Sequence, residues 1–447
     1  MRPRGKLKSL LRRFFRALVN LYFRNIELVG EAPKRSLGGR VFVSNHVNAL
    51  IDPILVLTHV SCDVSPLAKS TLWNMPGLTW LLDTADAVPV VRRRDDPNKA
   101  AGSNDEMFSK VSRHLASGGN ILVFPEGTSH NEPHMLRLKT GAARMLAQAR
   151  REGGKDLSYQ AVGLEFDARA MFRSSAVVAY GPVRAVEATP EDEDAFVDAV
   201  TRRMADDLAI LVVEGATWDE RRLILRVSEL FRNEGERQGF AASVELAQQV
   251  EAAQSLLLAK DPAKVEAVRV AVDRYYDELV KLGMTDEIFV TNDEPTTSMS
   301  TRLMLALLFP LFPIGLVLYF APYQLPRMVA HRSDEVDQHS TLKLATGLLA
   351  YPVWAAILIG VATWLWSHVL LTFLIVVMVV VLSPFAALIW MEHANDFLRP
   401  LLGALSPTRL ARLAKLRATA MVELTRARDA ASAMSDKTEQ SRQDRSD

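Results

Sequence analysis

The sequence predicts an α/β protein in which a mixed sheet is flanked by helices, with a helical insert and C-terminal transmembrane helices added. Three observations carry that expectation. Across residues 31–190, short apolar runs ending in turns alternate with helical stretches, the pattern of an α/β domain with a parallel or mixed sheet. Residues 191–300 are mostly polar and helical in pattern. Three uncharged segments follow, Leu303–Pro326, Leu344–Trp366 and Leu370–Met391, each reaching the roughly 20 residues that cross a bilayer core.

Bulk composition narrows the function. The 447 residues suffice for one large domain with appendages, or for two or three domains. A net charge of +1 supplies no bulk basic field, so no nucleic-acid partner is expected. Cys62 is alone, which excludes an intramolecular disulfide and a cysteine metal cluster. The N-terminus does not have signal-peptide form, because basic residues recur through its apolar stretch and no small-residue cleavage site follows.

Taken in order, residues 1–30 predict a basic amphipathic helix and a short lead-in strand. Leu10, Leu11, Phe14, Phe15, Leu18 and Tyr22 recur at helical spacing, with Arg12, Arg13 and Arg16 between them. That composition suits an anionic lipid surface; the alternative is a solvated helix packed on the domain behind it. In residues 31–190, "RVFVSN", "DAVPVV", "NILVFPEG", "QAVGLEF" and "SAVVAYG" read as buried strands. "PILVLTHV", "NDEMFSKVSRHLASGG" and "LKTGAARMLAQARREGG" read as helices, two of them closed by Gly-Gly. Within 191–300, "SVELAQQVEAAQSLLLAK" and "PAKVEAVRVAVDRYYDELVKLG" each carry an apolar stripe and predict an antiparallel helical pair. Residues 301–395 form the membrane region, and the basic tail 396–447 is expected to be disordered from about Ser432.

Charge placement orients the membrane region. The turn "SHV" is too short for a domain, so the second and third apolar segments form a hairpin. The loop before that hairpin, with Arg327, Arg332 and Lys343, and the tail after it, with Arg399, Arg409, Arg412 and Lys415, are both basic and therefore cytoplasmic. Pro310 and Pro313 interrupt the first segment, which is expected to re-enter rather than cross, leaving the α/β domain on the cytoplasmic side. The Ala- and Arg-rich composition suggests a bacterial source, hence an inner-membrane protein.

Three polar clusters lie at predicted strand ends, where an α/β sheet builds its sites. In "SNHVNALIDP", His46 follows a strand and Asp52 precedes Pro53, a residue suited to the first helical position. Six residues rotate a regular helix by about 240°, so the pair meets only if His46 lies in a loop that curls back to the helix start. A carboxylate on one imidazole nitrogen fixes the tautomer and leaves the other as a base. On this segment alone, a capping aspartate beside a loop histidine explains the residues equally well. In "FPEGTSHNEP", a strand runs into a tight turn that can offer N–H groups, a carboxylate and hydroxyls to a small polar ligand, though Pro-Glu-Gly is also an ordinary surface turn. His130 and His134 are expected to be solvated. In "VPVVRRRDD", guanidinium groups follow a strand; of the three, Arg92 stands nearest the strand end as a phosphate ligand.

In this order the three clusters resemble the phospholipid and glycerol-phosphate acyltransferase family (PlsC-like), which carries a His/Asp motif, an arginine motif and a Phe-Pro-Glu-Gly motif. The resemblance covers about Asn25 to Val183. It is strongest to the glycerol-3-phosphate acyltransferase branch of yeast and some bacteria, on the "NHVNALIDP" spacing, "VPVVR" and "VGLEF…MFRSSAVVAYGPV". It implies a glycerolipid acyltransferase-type domain with His46 and Asp52 catalytic. Substrate binding is implied for Asn45, Arg92, Phe124, Pro125, Glu126, Gly127 and Thr128, with Arg173 as a secondary phosphate ligand and Val162–Leu164 as the fourth, apolar motif. Two departures stand out: five residues, not the usual four, separate His46 from Asp52, and Asp86 occupies the usual glycine of the arginine motif.

The resemblance further implies a membrane-bound transfer of a fatty acyl group from acyl-CoA or acyl-carrier protein to a glycerol-phosphate acceptor, glycerol-3-phosphate first, in phospholipid biosynthesis. No metal or other cofactor is implied, and membrane lipids are the remaining partner. A lysophosphatidate acyltransferase is the nearest alternative. A thioesterase and a non-catalytic lipid-binding scaffold are more distant ones.

Overall fold

The computed structural model describes residues 3–31, 33, 38–75, 77–91, 97–186, 192–235, 239–282, 284–289, 299–365, 370–405 and 407–443. Contacts divide the chain into two units. One comprises Met1–Leu225, Gln238–Glu251 and Glu335–Ser340; the other comprises Arg226–Arg237, Ala252–Asp334 and Thr341–Asp447.

The first unit begins with α1 (Pro3–Tyr22), β1 (Asn25–Gly30), β2 (Arg40–Ser44), α2 (Ile51–His59), β3 (Ser65–Lys69), α3 (Leu78–Thr84) and β4 (Val88–Val90). It continues through α4 (Pro97–Ala116), β5 (Asn120–Val123), α5 (Gly141–Arg151), β6 (Ser158–Phe166), β7 (Ser175–Ala185) and α6 (Glu193–Ala209). The helices α7 (Trp218–Glu234) and α8 (Phe240–Lys260) are divided between the units, so residues 191–300 do not stand as a separate region.

The described strands form a seven-stranded sheet in the order β1-β7-β6-β2-β5-β3-β4. Neighbours run parallel except β6 and β7, which are antiparallel. The mixed α/β sheet is therefore the fold, with β3 and the short α3 as additions that the sequence did not announce. β3 reads "SPLAK", too short and too proline-marked to show alternation; it exists because Ser65 and Pro66 pair with Ile121 and Leu122. Every residue of β2 and β6 is buried, as expected of strands covered on both faces. Val41, Val43, Ile121, Tyr159 and Ala161 pack with Leu115 of α4 and Leu146 of α5, all fully or almost fully buried.

α1 packs on the domain behind it along part of its length. Val19, Tyr22 and the adjoining Phe23 are buried, and Arg16 Nε donates to the Thr58 carbonyl of α2 at 2.9 Å. Leu10 and Phe14 stay exposed, at 64% and 45%.

The second unit contains α9 (Pro262–Leu282), α10 (Met299–Leu308), α11 (Leu311–Leu318), α12 (Phe320–Ala330), α13 (His339–Leu365) from Thr341 onward, α14 (Leu370–Leu405) and α15 (Pro407–Gln443). Among the described residues, two helical stretches, Val336–Leu365 and Phe373–His393, are long and apolar enough to cross a membrane. A third crossing is available only if α10 and α11 count as one span, and they are bent by 57° at their break, where Pro310 removes a helical donor. The turn at 366–369 lies outside the described residues. α11 and α14 approach closely at Gly315, where a Cβ would run into the Ser383 carbonyl, and Tyr319 Oη donates to Val380 O at 2.7 Å.

Two helical expectations are corrected here. α9 packs mainly along α15, not back on α8 as an antiparallel pair. Periodicity tells which face of a helix is apolar but not which helix covers it. α15 also runs on to Gln443 through the stretch expected to be disordered from Ser432, where Ala, Glu, Lys and Gln favour helix. The buried Asp286 carboxylate holds this unit together, accepting from Asn233 Nδ2 at 2.7 Å, Arg417 Nε at 2.8 Å and the Tyr275 hydroxyl.

Candidate active site

β2 and β5 are parallel neighbours in register, Val43 opposite Val123, so their C-terminal ends release two loops side by side. One carries His46 and the other Phe124 to Gly127. The loop after β2 turns sharply: Ile51 N–H bonds to Asn48 O at 2.9 Å, and Ala49 has a φ of 35°, a strained value for a residue with a Cβ. This turn accommodates the five-residue spacer between His46 and Asp52. α2 then starts at Ile51, two residues before Pro53, placing Asp52 in its first turn.

Asp52 is fully buried, and one of its oxygens collects three donors. Oδ2 faces His46 Nδ1 at 2.9 Å and accepts the N–H groups of Val47 at 2.8 Å and Asn48 at 2.7 Å. Beside a carboxylate, Nδ1 carries the proton, and Nε2 is left as the basic lone pair. The imidazole stacks on the Phe124 ring with centroids 4.1 Å apart and planes 23° from parallel. Its side chain keeps 14% exposure, against none for Asp52. The chemistry available is a tautomer-fixed general base at the mouth of a buried anion.

Glu126 turns inward. Its Oε1 accepts the His46 N–H at 2.8 Å, while Oε2 accepts Leu136 N–H at 2.9 Å and the Nε2–H of His130. The sequence assigns Glu126 to the acceptor; the structure gives both oxygens protein donors, and a carboxylate would repel a phosphate. Gly127 has a φ of 77° and lies under the Lys139 side chain, whose ammonium an added Cβ would meet. Pro125 is buried and its carbonyl accepts Lys139 N–H at 2.8 Å. Thr128 Oγ1 donates to Ser129 O at 3.1 Å.

The remaining expected ligands take other tasks. Asn45 is buried, and its amide bridges β2 to β6, donating from Nδ2 to Leu164 O at 2.9 Å and accepting Leu164 N–H on Oδ1 at 2.8 Å. It mimics a ladder pair where the strands diverge, so it pins the loop instead of reaching a ligand. Arg173, itself at a φ of 65°, donates from Nη1 to the carbonyls of Asn20, Leu21 and Phe23 at the end of α1. Those orphan helix carbonyls attract the guanidinium, so its phosphate role is not what the geometry displays. Arg92 lies outside the described residues. Asp86, which stands in for glycine, has a φ of 54°, the left-handed conformation that makes glycine usual there and that Asp tolerates; Lys8 Nζ holds its carboxylate at 2.8 Å.

Sequence reading missed two residues. His130 is buried, not solvated: Nε2 donates to Glu126, and Nδ1 accepts Glu132 N–H at 3.1 Å. Its spacing of four from Glu126 was the available signal. Arg169, in the turn after β6, donates from Nη1 to Val47 O at 2.9 Å and to His130 O at 3.4 Å. Nothing in "FDARAM" marks it.

Residues 25–162 match a family model described as Acyltransferase, a span that includes every residue of the His46–Asp52 and Phe124–Glu126 loops. Across 310 residues the chain is 23% identical to glycerol-3-phosphate O-acyltransferase 2 of Saccharomyces cerevisiae, covering 66% of this chain and 41% of the yeast protein. Over 76 residues it is 37% identical to an uncharacterized acyltransferase of Schizosaccharomyces pombe, covering 17% of this chain and 11% of that protein. The match thus spans less than half the length of either relative. A solved structure, the 1-acyl-sn-glycerophosphate acyltransferase PlsC of Thermotoga maritima, aligns with a TM-score of 0.33 at 19% identity, over 47% of this chain and 84% of that one.

Proposed function

We propose that this protein, whose residues 25–162 match the Acyltransferase family model, moves a fatty acyl group from an acyl thioester to a glycerol-phosphate acceptor, glycerol-3-phosphate first. The observation that carries the reading is the His46–Asp52 pair, with Nδ1 committed to a buried carboxylate and Nε2 making no hydrogen bond with any described residue. The preference for glycerol-3-phosphate rests on the yeast relative, matched over 310 residues and named for that substrate.

In this reading the acceptor hydroxyl hydrogen-bonds to His46 Nε2 and attacks the thioester carbonyl, giving its proton to the imidazole as the C–O bond forms. The tetrahedral adduct collapses by breaking the C–S bond, and the departing thiolate takes the proton back. Asp52 stabilises the imidazolium between those steps, as the aspartate does in hydrolytic triads, with the substrate hydroxyl in place of a serine. Phe124 holds the ring by stacking. The exposed Leu10 and Phe14, amid the basic residues of α1, and the two long apolar helices suit a site that meets its acyl donor at a cytoplasmic membrane surface.

Full-length protein in liposomes, given labelled oleoyl-CoA with glycerol-3-phosphate or lysophosphatidate, tests the reading. Labelled lysophosphatidate formed from glycerol-3-phosphate, and lost in His46→Ala, is the expected result. Acylation of lysophosphatidate alone reassigns the acceptor. Free fatty acid without an acylated lipid makes the protein a thioesterase, and no turnover at all makes it a lipid-binding scaffold.

A further inference from the structure

Arg169 stands behind the catalytic loop at a junction of three chain segments. Its Nη1 reaches Val47 O, one residue after the base, and His130 O, in the loop that follows Glu126. Its own carbonyl accepts Asn48 Nδ2 at 3.3 Å and the hydroxyl of Ser340. Ser340 belongs to Glu335–Ser340, a segment of the first unit that begins the apolar stretch Val336–Leu365. The guanidinium lies over the Trp218 ring, 5.5 Å from its centroid. Asp337 of that same segment is buried, and its charge and those of Asp52 and Glu165 act on Arg169.

Such a side chain is poorly placed to be ornamental. A guanidinium that gives up water must recover hydrogen bonds, and this one recovers two from main-chain carbonyls in different loops. Burial pulls its pKa below the ordinary arginine value, with Arg221 adding to the effect, while the three carboxylates oppose it; the group remains a cation throughout the working pH range. Without that clamp, Val47 and Asn48 would still donate to Asp52, and their loop would be held against the one bearing Phe124 and Glu126 by the His130 N–H to His46 O bond at 3.2 Å, the Glu126 carboxylate and the stack of the His46 ring on Phe124.

We propose that Arg169 is a positioning residue of the site, tying the His46–Asp52 loop to the Glu126–His130 loop through its side chain and to Glu335–Ser340 through its carbonyl. The proposal rests on the acyltransferase reading for its kinetic consequence, not for its structural one. Displacement of a general base by even about 1 Å costs on the order of 100-fold in rate. Arg169 therefore acts on kcat, through His46, and not on substrate capture.

The test uses the full chain in nanodiscs with Arg169→Ala and Arg169→Lys. Arg169→Ala is expected to lower kcat by about 10- to 100-fold while the KM of both substrates stays within about twofold. Arg169→Lys, able to donate to both carbonyls but not to stack as a plane, recovers part of that loss. Hydrogen exchange at Val47 and Asn48 quickens in Arg169→Ala and is partly restored in Arg169→Lys. If Arg169→Ala does not fold, the Lys variant carries the same comparison against the wild type. A raised acceptor KM at unchanged kcat overturns the proposal and makes Arg169 a phosphate ligand; unchanged kinetics and exchange overturn it outright. Should the wild type acylate neither acceptor, the functional reading falls, and the exchange measurement alone still decides whether Arg169 holds the loop.

Discussion

Glu126 is joined to His46 through the main chain: its Oε1 accepts the His46 N–H at 2.8 Å, eighty residues away in sequence. The carboxylate thus sets where the base stands. Three donors converge on its two oxygens, and two of them, the N–H groups of His46 and Leu136, are main-chain groups that cannot become acceptors. In Glu126→Gln the amide oxygen satisfies one side only, and the NH₂ group must face a donor. A buried mismatch of this kind costs about 1–3 kcal/mol, and the His46 loop shifts to relieve it. The expected kinetic outcome is a kcat loss with little change in acceptor KM. A large rise in acceptor KM instead would return Glu126 to the acceptor.

Asp52→Asn separates charge from shape. The side chain stays nearly isosteric, yet a neutral amide replaces the anion that takes His46 Nδ1–H and two main-chain N–H groups. The imidazolium formed on proton transfer then lacks its counter-charge, and the imidazole can take the wrong tautomer. A loss on the order of 10³- to 10⁴-fold in kcat is expected, from the effect of the corresponding change in hydrolytic triads. Retention of a tenth or more of the activity would reduce Asp52 to a helix-start cap.

Asn45→Ala tests pin against ligand. Removing the amide leaves Leu164 N–H and C=O without their partners in a buried place, which destabilises the first unit by about 2 kcal/mol. A lower unfolding midpoint with acceptor KM unchanged is the expected pair of results. An unaltered midpoint with a raised KM would make Asn45 a binding residue.

His59, in the last turn of α2, makes stability depend on pH. Burial, first, and the charges of Arg16 and Arg12 hold its imidazole below the ordinary value near 6.5, while the Leu55 carbonyl works the other way. The unfolded chain therefore binds the proton more readily than the folded one. The stabilisation is complete above the unfolded value and is lost as pH falls from there through the depressed folded value. Unfolding midpoints measured across that window should decline for the wild type and decline less for His59→Gln. Equal slopes would assign the decline to other groups.

Sequence by itself determined the strand–helix alternation and two long apolar helices; whether His46 meets Asp52 it left open. The alternation and the helices depend on local periodicity: apolar runs between turns make strands wherever both faces are covered. A six-residue stretch, by contrast, can extend to about 20 Å, so the contact of His46 with Asp52 needed the turn at Ala49. The resemblance, not the sequence alone, marked Asp86 and the five-residue spacer as departures. The left-handed φ of Asp86 and the turn at Ala49 are the backbone answers to those two oddities.

Only the tertiary structure decided which way each polar side chain points. The resemblance implies ligand roles for Glu126, Asn45 and Arg173; the structure shows each making hydrogen bonds within the protein, to His46 N–H, to Leu164 and to the end of α1. His130 read as solvated and Arg169 drew no reading at all, yet both brace the site. A hydrogen-bond partner more than a hundred residues away, such as Leu164 for Asn45 or Val47 for Arg169, leaves no periodic trace in a sequence. It is set by sheet order, and the β6-β2-β5 adjacency that brings these loops together exists only once the strands have paired.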